Sequence, residues 1–179
     1  RFSLENSLKE ILNRDKTNKN IGLILLEGYL FEKYKGYLLD LGIPLLKFGM
    51  QSLEKLTHSV VVLPEKLEEA EKISSVVFDL STQIGLKILL YDFNPNEEDH
   101  DQALDYYKHI AKVFDKKIII EQSNAQNPIL WLNRQKHILQ ILPLRKENVK
   151  KFWFFSLCDV ENLSTHLTNL PQLFIPLSV

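Results

Sequence analysis

From residue 20 onward the chain alternates between two periodicities, and that alternation narrows the fold sharply. Short apolar runs rich in β-branched residues occupy 21–26, 45–48, 60–63, 86–91, 117–120, 138–142 and 173–177. Each has the length of a buried strand. Between several of them lie longer stretches with apolar residues at helical spacing. Leu30, Tyr34, Tyr37, Leu38 and Leu41 share one face, with Gly42 just beyond as a C-cap. Leu67, Ala70, Ile73, Val77, Leu80 and Ile84 form a second stripe, opened by Pro64 and closed by Gly85. Leu104, Tyr107, Ile110, Ala111 and Phe114 form a third. Continuous apolar strands separated by helices are covered on both faces, which predicts an α/β fold with a mostly parallel, Rossmann-like sheet.

The first 19 residues read differently. Leu4, Leu8, Ile11 and Leu12 share a helical face, and residues 13–20 (NRDKTNKN) form a polar linker. The expected organisation is therefore an amphipathic helix and linker over 1–19 and one α/β domain over 20–179, with a sub-boundary near 57. The chain opens on Arg1 rather than methionine and stops just after an apolar run, the look of a piece cut from something longer. It has no apolar run near the roughly 20 residues a spanning helix requires, and its start has no signal-peptide core.

Charge and cysteine content exclude several classes. Twenty-two Lys+Arg against 23 Asp+Glu give a net charge of -1, so nucleic acid is not an expected partner. The lone Cys158 excludes an internal disulfide framework and a cysteine-based zinc site. Beside Asp159 at a strand end it reads as a structural thiol. The five histidines lack metal-pair spacing: His100 and His109 fall on oblique faces of a helix. The acidic cluster around His100 (Glu97, Glu98, Asp99, Asp101) suits a solvated helix N-terminus. Residues 152–157 are a further strand candidate, and its aromatic run 152–155 (FWFF) reads as core, with a dimer interface as the other reading. Basic residues at 116–117 and 145–151 lack the aromatic interleaving of an RNA platform.

Phosphate-cradling loops need closely spaced glycines. The six here (Gly22, Gly28, Gly36, Gly42, Gly49 and Gly85) never fall at GxG spacing, and GxSxG is absent too. A ligand would then sit at strand carboxyl ends. The candidates are Glu27 and Gly28 after the first strand, Pro64 and Glu65 after the third, and Asp92 and Asn94 after the fourth. No catalytic residue and no metal ligand is assigned, and the cofactor is unknown.

Residues 58–96, with SVVVLP, a long helix ending at Gly85, and LKILLYDF running into a Pro-containing loop, resemble the opening of a universal-stress-protein domain. The end, LPQLFIPLSV, is similar to the closing strand of that family. ATP-binding members carry a Gly-x-x-Gly loop and a following Gly-Ser/Thr before that strand, whereas residues 142–169 contain no glycine. No ATP-site residue carries over. Preceded by a strand–helix–strand unit, the pattern also resembles the cytosolic tails of bacterial cation:proton antiporters. That resemblance implies a non-catalytic regulatory or ligand-sensing domain, cytoplasmic and tethered to the inner membrane. Its expected partners are a membrane transport domain of the same chain, a second copy in a homodimer, and a small-molecule or nucleotide ligand. The alternatives are a stand-alone nucleotide-binding stress-protein-like domain and a small-molecule enzyme of α/β fold.

Overall fold

The computed structural model describes residue 10 and residues 22–39, 42–64, 67–92, 98–122, 128–144 and 170–177. Among them are seven strands: β1 (Ile24–Glu27), β2 (Leu45–Phe48), β3 (His58–Val62), β4 (Lys87–Asp92), β5 (Ile118–Gln122), β6 (Ile138–Leu144) and β7 (Gln172–Pro176). Four α-helices accompany them: α1 (Gly28–Leu39), α2 (Leu67–Ile84), α3 (Glu98–Val113) and α4 (Pro128–Arg134). All the strands form one sheet in the order β1-β2-β7-β6-β3-β4-β5. Every neighbouring pair is parallel except β2 and β7. The α/β expectation is met, and β1 and β2 run opposite to the other five strands.

Two apolar cores flank the sheet. On one side Phe31, Tyr34 and Leu38 of α1 and Leu132 of α4 pack on Ile24, Leu26, Leu45, Val60, Val62, Tyr91, Leu142 and Phe174. Phe31 stacks on Phe174 with ring centroids 4.8 Å apart, an arrangement that adds to the area both rings bury. On the other side α2 and α3 cover Val61, Ile88, Leu90, Leu139, Ile141, Leu173 and Ile175. Phe78 of α2 meets Tyr107 of α3 at 6.4 Å and Phe114 at 5.3 Å. The buried Ser74 hydroxyl donates to the Glu71 carbonyl oxygen at 2.8 Å and lies 3.3 Å from the Tyr106 hydroxyl of α3.

Local signals explain where the helices stop. Gly85 adopts positive φ, 73°, directly beyond α2, and Gly42, three residues past the end of α1, does so at 66°; a Cβ would be strained at either. After α3 the same left-handed position falls to Asp115, φ 48°. There the Lys116 N–H reaches back to the Ala111 carbonyl at 2.8 Å, closing the helix as a Schellman cap.

The α2 stripe needs correction. Ala70, Ile73 and Val77 are buried as expected, joined by Phe78, Ser74 and Ser81, but Leu67 and Ile84 are exposed. Eighteen helical residues extend about 27 Å, whereas a five-residue strand covers about 17 Å. The helix therefore overshoots the sheet at its ends. Phe78 turns inward because α3 flanks that side. Phe114, expected in the third stripe, is 47% exposed even as it stacks on Phe78. Apart from Glu10, which is helical, the amphipathic segment 1–12 lies outside the described residues, as do the strand assigned to 152–157, Cys158 and His166.

Candidate functional site: the strand-end crevice

Strands β3 to β7 stand in the order β5-β4-β3-β6-β7. The chain winds outward from β3 through β4 to β5, then resumes on the other side of β3 with β6 and β7. In such doubly wound sheets the connections diverge at the carboxyl ends of the two central strands, leaving a crevice for ligands. Here those strands are β3 and β6.

Two sequence candidates line this edge. Pro64 follows β3 and is buried. Asp92 closes β4 and is only 1% exposed. Asp92 pairs in register with Gln122 at the end of β5, and the Gln122 side-chain amide donates to its Oδ2 at 3.2 Å. Burying a carboxylate is costly without such donors. Strand alternation puts Asp92 on the α2 and α3 side with Ile88 and Leu90, and Tyr91 on the opposite side. Tyr91 stacks against Trp131 of α4 at 4.0 Å with an interplanar angle of 4°. A buried carboxylate with a side-chain amide donor at a strand end suits recognition of a small polar ligand through hydrogen bonds. Glu65 and Asn94 lie outside the described residues.

The other two candidates are elsewhere. Because β1 runs against β3 and β4, Glu27 and Gly28 lie at the opposite end of the sheet from Pro64 and Asp92. Glu27 is exposed. A Cβ on Gly28 would meet Lys47 Cε at 3.5 Å and the Phe48 carbonyl oxygen at 3.8 Å, ordinary van der Waals contact. Glycine is not forced there by space. At this same end the Thr57 hydroxyl lies 2.8 Å from His58 Nδ1 and donates to the His137 carbonyl oxygen at 3.2 Å. Desolvation, with Lys87 adding to it, holds His58 below the usual histidine range.

A third polar feature crosses the middle of the sheet on the α1 side. Lys47 Nζ, in a residue 1% exposed, donates to Gln172 Oε1 at 3.2 Å and sits 5.7 Å from the Phe31 ring centroid. Gln172 Nε2 donates in turn to Gln140 Oε1 at 2.9 Å. Gln140 Nε2 has no partner among the described residues. Among those residues, no group of three or more His, Cys, Asp and Glu is placed to hold a metal ion.

The sequence did not single out Gln122, Trp131 or the row from Lys47 to Gln140. Gln122 had a signal, as the polar end of an apolar strand (IIIEQ). Trp131 had a weaker one, a proline at the first position of a short helix (PILWLNR).

The order and directions of β3 to β7 define a doubly wound α/β sheet. A universal stress protein from Archaeoglobus fulgidus DSM 4304 superposes with a TM-score of 0.62 at 10% sequence identity, over 94% of this chain and 64% of that one. This chain therefore spans somewhat less than two-thirds of that protein's length. A functionally unknown protein from Pseudomonas aeruginosa PAO1 superposes with a TM-score of 0.53 at 12% identity, over 94% of this chain and 67% of that one. At such identities the likeness is one of fold. No protein-family model and no curated protein matches the sequence. Among the described residues no helix is long and apolar enough to cross a membrane.

Proposed function

We propose that this is a non-catalytic, ligand-sensing domain that regulates a larger membrane transport protein of the cation:proton antiporter type. The observation that carries the reading is the polar strand-end edge that follows β3 and β4. It has a buried carboxylate at Asp92, while the segment from Leu142 to the closing strand lacks the glycines a triphosphate-cradling loop requires. Such an edge suits binding a small polar molecule over turning it over. The transport setting is supported by architecture: a strand–helix–strand unit, β1-α1-β2, joined to a stress-protein-like unit without its phosphate loop. In this reading the domain is cytoplasmic, held at the inner membrane by the transport domain of its own polypeptide, and paired with a second copy.

The test is ion flux in vesicles containing the full-length protein, with and without residues 20–179. Removal is expected to change the flux while leaving transport active. Unaltered flux, or a full-length sequence without membrane-spanning segments, overturns the reading. Calorimetric titration of the 179-residue chain with ATP separates the rival. No micromolar binding is expected, and micromolar binding would favour a stand-alone nucleotide-binding stress-protein-like domain.

A further inference from the structure

A lysine on β2 dictates which way a buried amide two strands away must point. Lys47, Gln172 and Gln140 stand in one row across β2, β7 and β6, each beside the next in register. Each is two residues from a member of the α1-side core, Leu45, Phe174 and Leu142, so all three side chains face that side. They are 1%, 0% and 0% exposed. An ammonium can only donate. The Gln172 oxygen must therefore face Lys47, at 3.2 Å, which turns the Gln172 nitrogen to the Gln140 oxygen, at 2.9 Å. Gln140 is left with its oxygen engaged and its Nε2 directed away from β7. Among the described residues that buried nitrogen meets no acceptor.

The row ends on the strip of sheet between two helices. The α1 helix covers β7 through Phe31 on Phe174, and α4 covers β4 through Trp131 on Tyr91. Strands β6 and β3 lie between β7 and β4, and Val60 of β3 stands beside Gln140 in register. The carboxyl ends of these two central strands are where a doubly wound sheet takes its ligands. Helix α1 runs back from the end of β1 to the start of β2. Because β7 and β6 run against those strands, α1 runs toward the carboxyl ends of β7 and β6. One turn beyond Phe31 in that direction is Tyr34, 5% exposed, whose hydroxyl also has no partner among the described residues. Two buried hydrogen-bonding groups on one apolar core are thus unsatisfied, and native cores rarely leave such groups so.

We propose that Gln140 Nε2 is the recognition donor of a second, buried site on the α1 side, and that its ligand is a small carboxylate. What the site needs is an acceptor. A buried water makes about three hydrogen bonds. One accepting from Gln140 would have two protons of its own to place, among aliphatic side chains and strand carbonyls already taken up by the ladders. A carboxylate oxygen accepts and brings no proton, and the second oxygen can take the Tyr34 hydroxyl. The ammonium at the far end of the row favours negative charge at this end, because hydrogen bonds in a chain polarise one another and strengthen the terminal donor. Val60, Leu142 and the Tyr34 ring suit a short alkyl group beside the carboxylate. The site is on the opposite face of the sheet from Asp92, and it needs neither that carboxylate nor the transport setting.

The test is titration of the 15N-labelled 179-residue chain with sodium acetate, against sodium chloride at equal ionic strength, reading the side-chain amides of Gln140 and Gln122 by NMR. Acetate is expected to move the Gln140 amide protons downfield along a saturable curve with a millimolar midpoint. Chloride should not move them, and Gln122, beside Asp92 on the other face, should stay in place. Gln140→Glu keeps an acceptor for Gln172 but exchanges the donor for a carboxylate oxygen. It is expected to raise the acetate dissociation constant at least about tenfold, in a chain that circular dichroism shows to be folded. A Gln140 signal that acetate leaves unmoved, or moves no more than chloride does, overturns the proposal. So does a water cross-peak to the Gln140 amide that persists at saturating acetate, since water is then the acceptor. A response at Gln122 alone overturns it too, by placing acetate at the Asp92 edge.

Discussion

Strands β1 and β6 flank the β2–β7 seam on its two sides but live in different solvents. Both are short, apolar and bonded to a strand whose preceding residue is proline. Among the described residues β6 is covered on both faces and paired on both edges, whereas β1 is covered on one face and paired on one edge. The contrast shows that burial of a strand is a property of its neighbours more than of its own residues. Leu25 and Ile141 are chemically near-equivalent, and the helix above Ile141 and the strand β3 beside it separate their environments.

The widest break in that comparison should come from placing one charge on each strand. Ile141→Lys buries an ammonium beneath α2 and is expected to cost more than about 4 kcal/mol, unfolding much of the chain. Leu25→Lys on β1 is expected to stay within about 0.5 kcal/mol. Denaturant unfolding followed by circular dichroism measures both, and equal losses would mean that β1 is covered in solution. Next in size is Phe174→Ala, which removes the ring that joins the two halves through Phe31. A loss of about 3–5 kcal/mol is expected, and a loss below about 1 kcal/mol would mean that the halves are held together elsewhere.

A smaller change tests the polar row that crosses the seam. Gln172 accepts from Lys47 and donates to Gln140. Gln172→Leu removes an acceptor from a buried ammonium. It is expected to cost about 1–3 kcal/mol, read from the urea midpoint. Were the variant as stable as the parent, the polar row would be dispensable.

The smallest effect lies at the amino end of β3, in the covered half. His58 is held below its ordinary value of 6.5, chiefly by desolvation and then by Lys87. The native state thus binds this proton less tightly than the unfolded chain. Its contribution is fully present above the unfolded value and is lost as the pH falls below it. His58→Gln should flatten the stability profile below about pH 6.5, measured as thermal midpoint against pH. An unchanged slope would assign the acid sensitivity to other groups.

Much of the fold was legible in the sequence because its signals are local. Pro44 precedes β2, Gly85 closes α2 in a left-handed conformation, Gly42 takes the same conformation between α1 and β2, and apolar runs mark each of the seven strands. The α4 helix escaped because seven residues are too few to display a helical period. The candidate site was legible in part. A polar residue ending a strand marks Asp92 and a proline after one marks Pro64, but Gln122, which donates to Asp92, and Trp131, which stacks on Tyr91, come from β5 and α4, remote in sequence.

The sequence by itself determined which segments are strands and helices, where the helices end, and that no glycine-built phosphate loop follows β6. Periodicity and backbone sterics act over a few residues and leave their mark there. Only the tertiary structure decided that β2 meets β7 antiparallel. That single choice of direction sends Glu27 and Gly28 to the far end of the sheet from Asp92, and it sets β1 running against β6. The direction of a strand is fixed by how its connections cross the sheet and by the packing they allow, and the residues within the strand do not encode it.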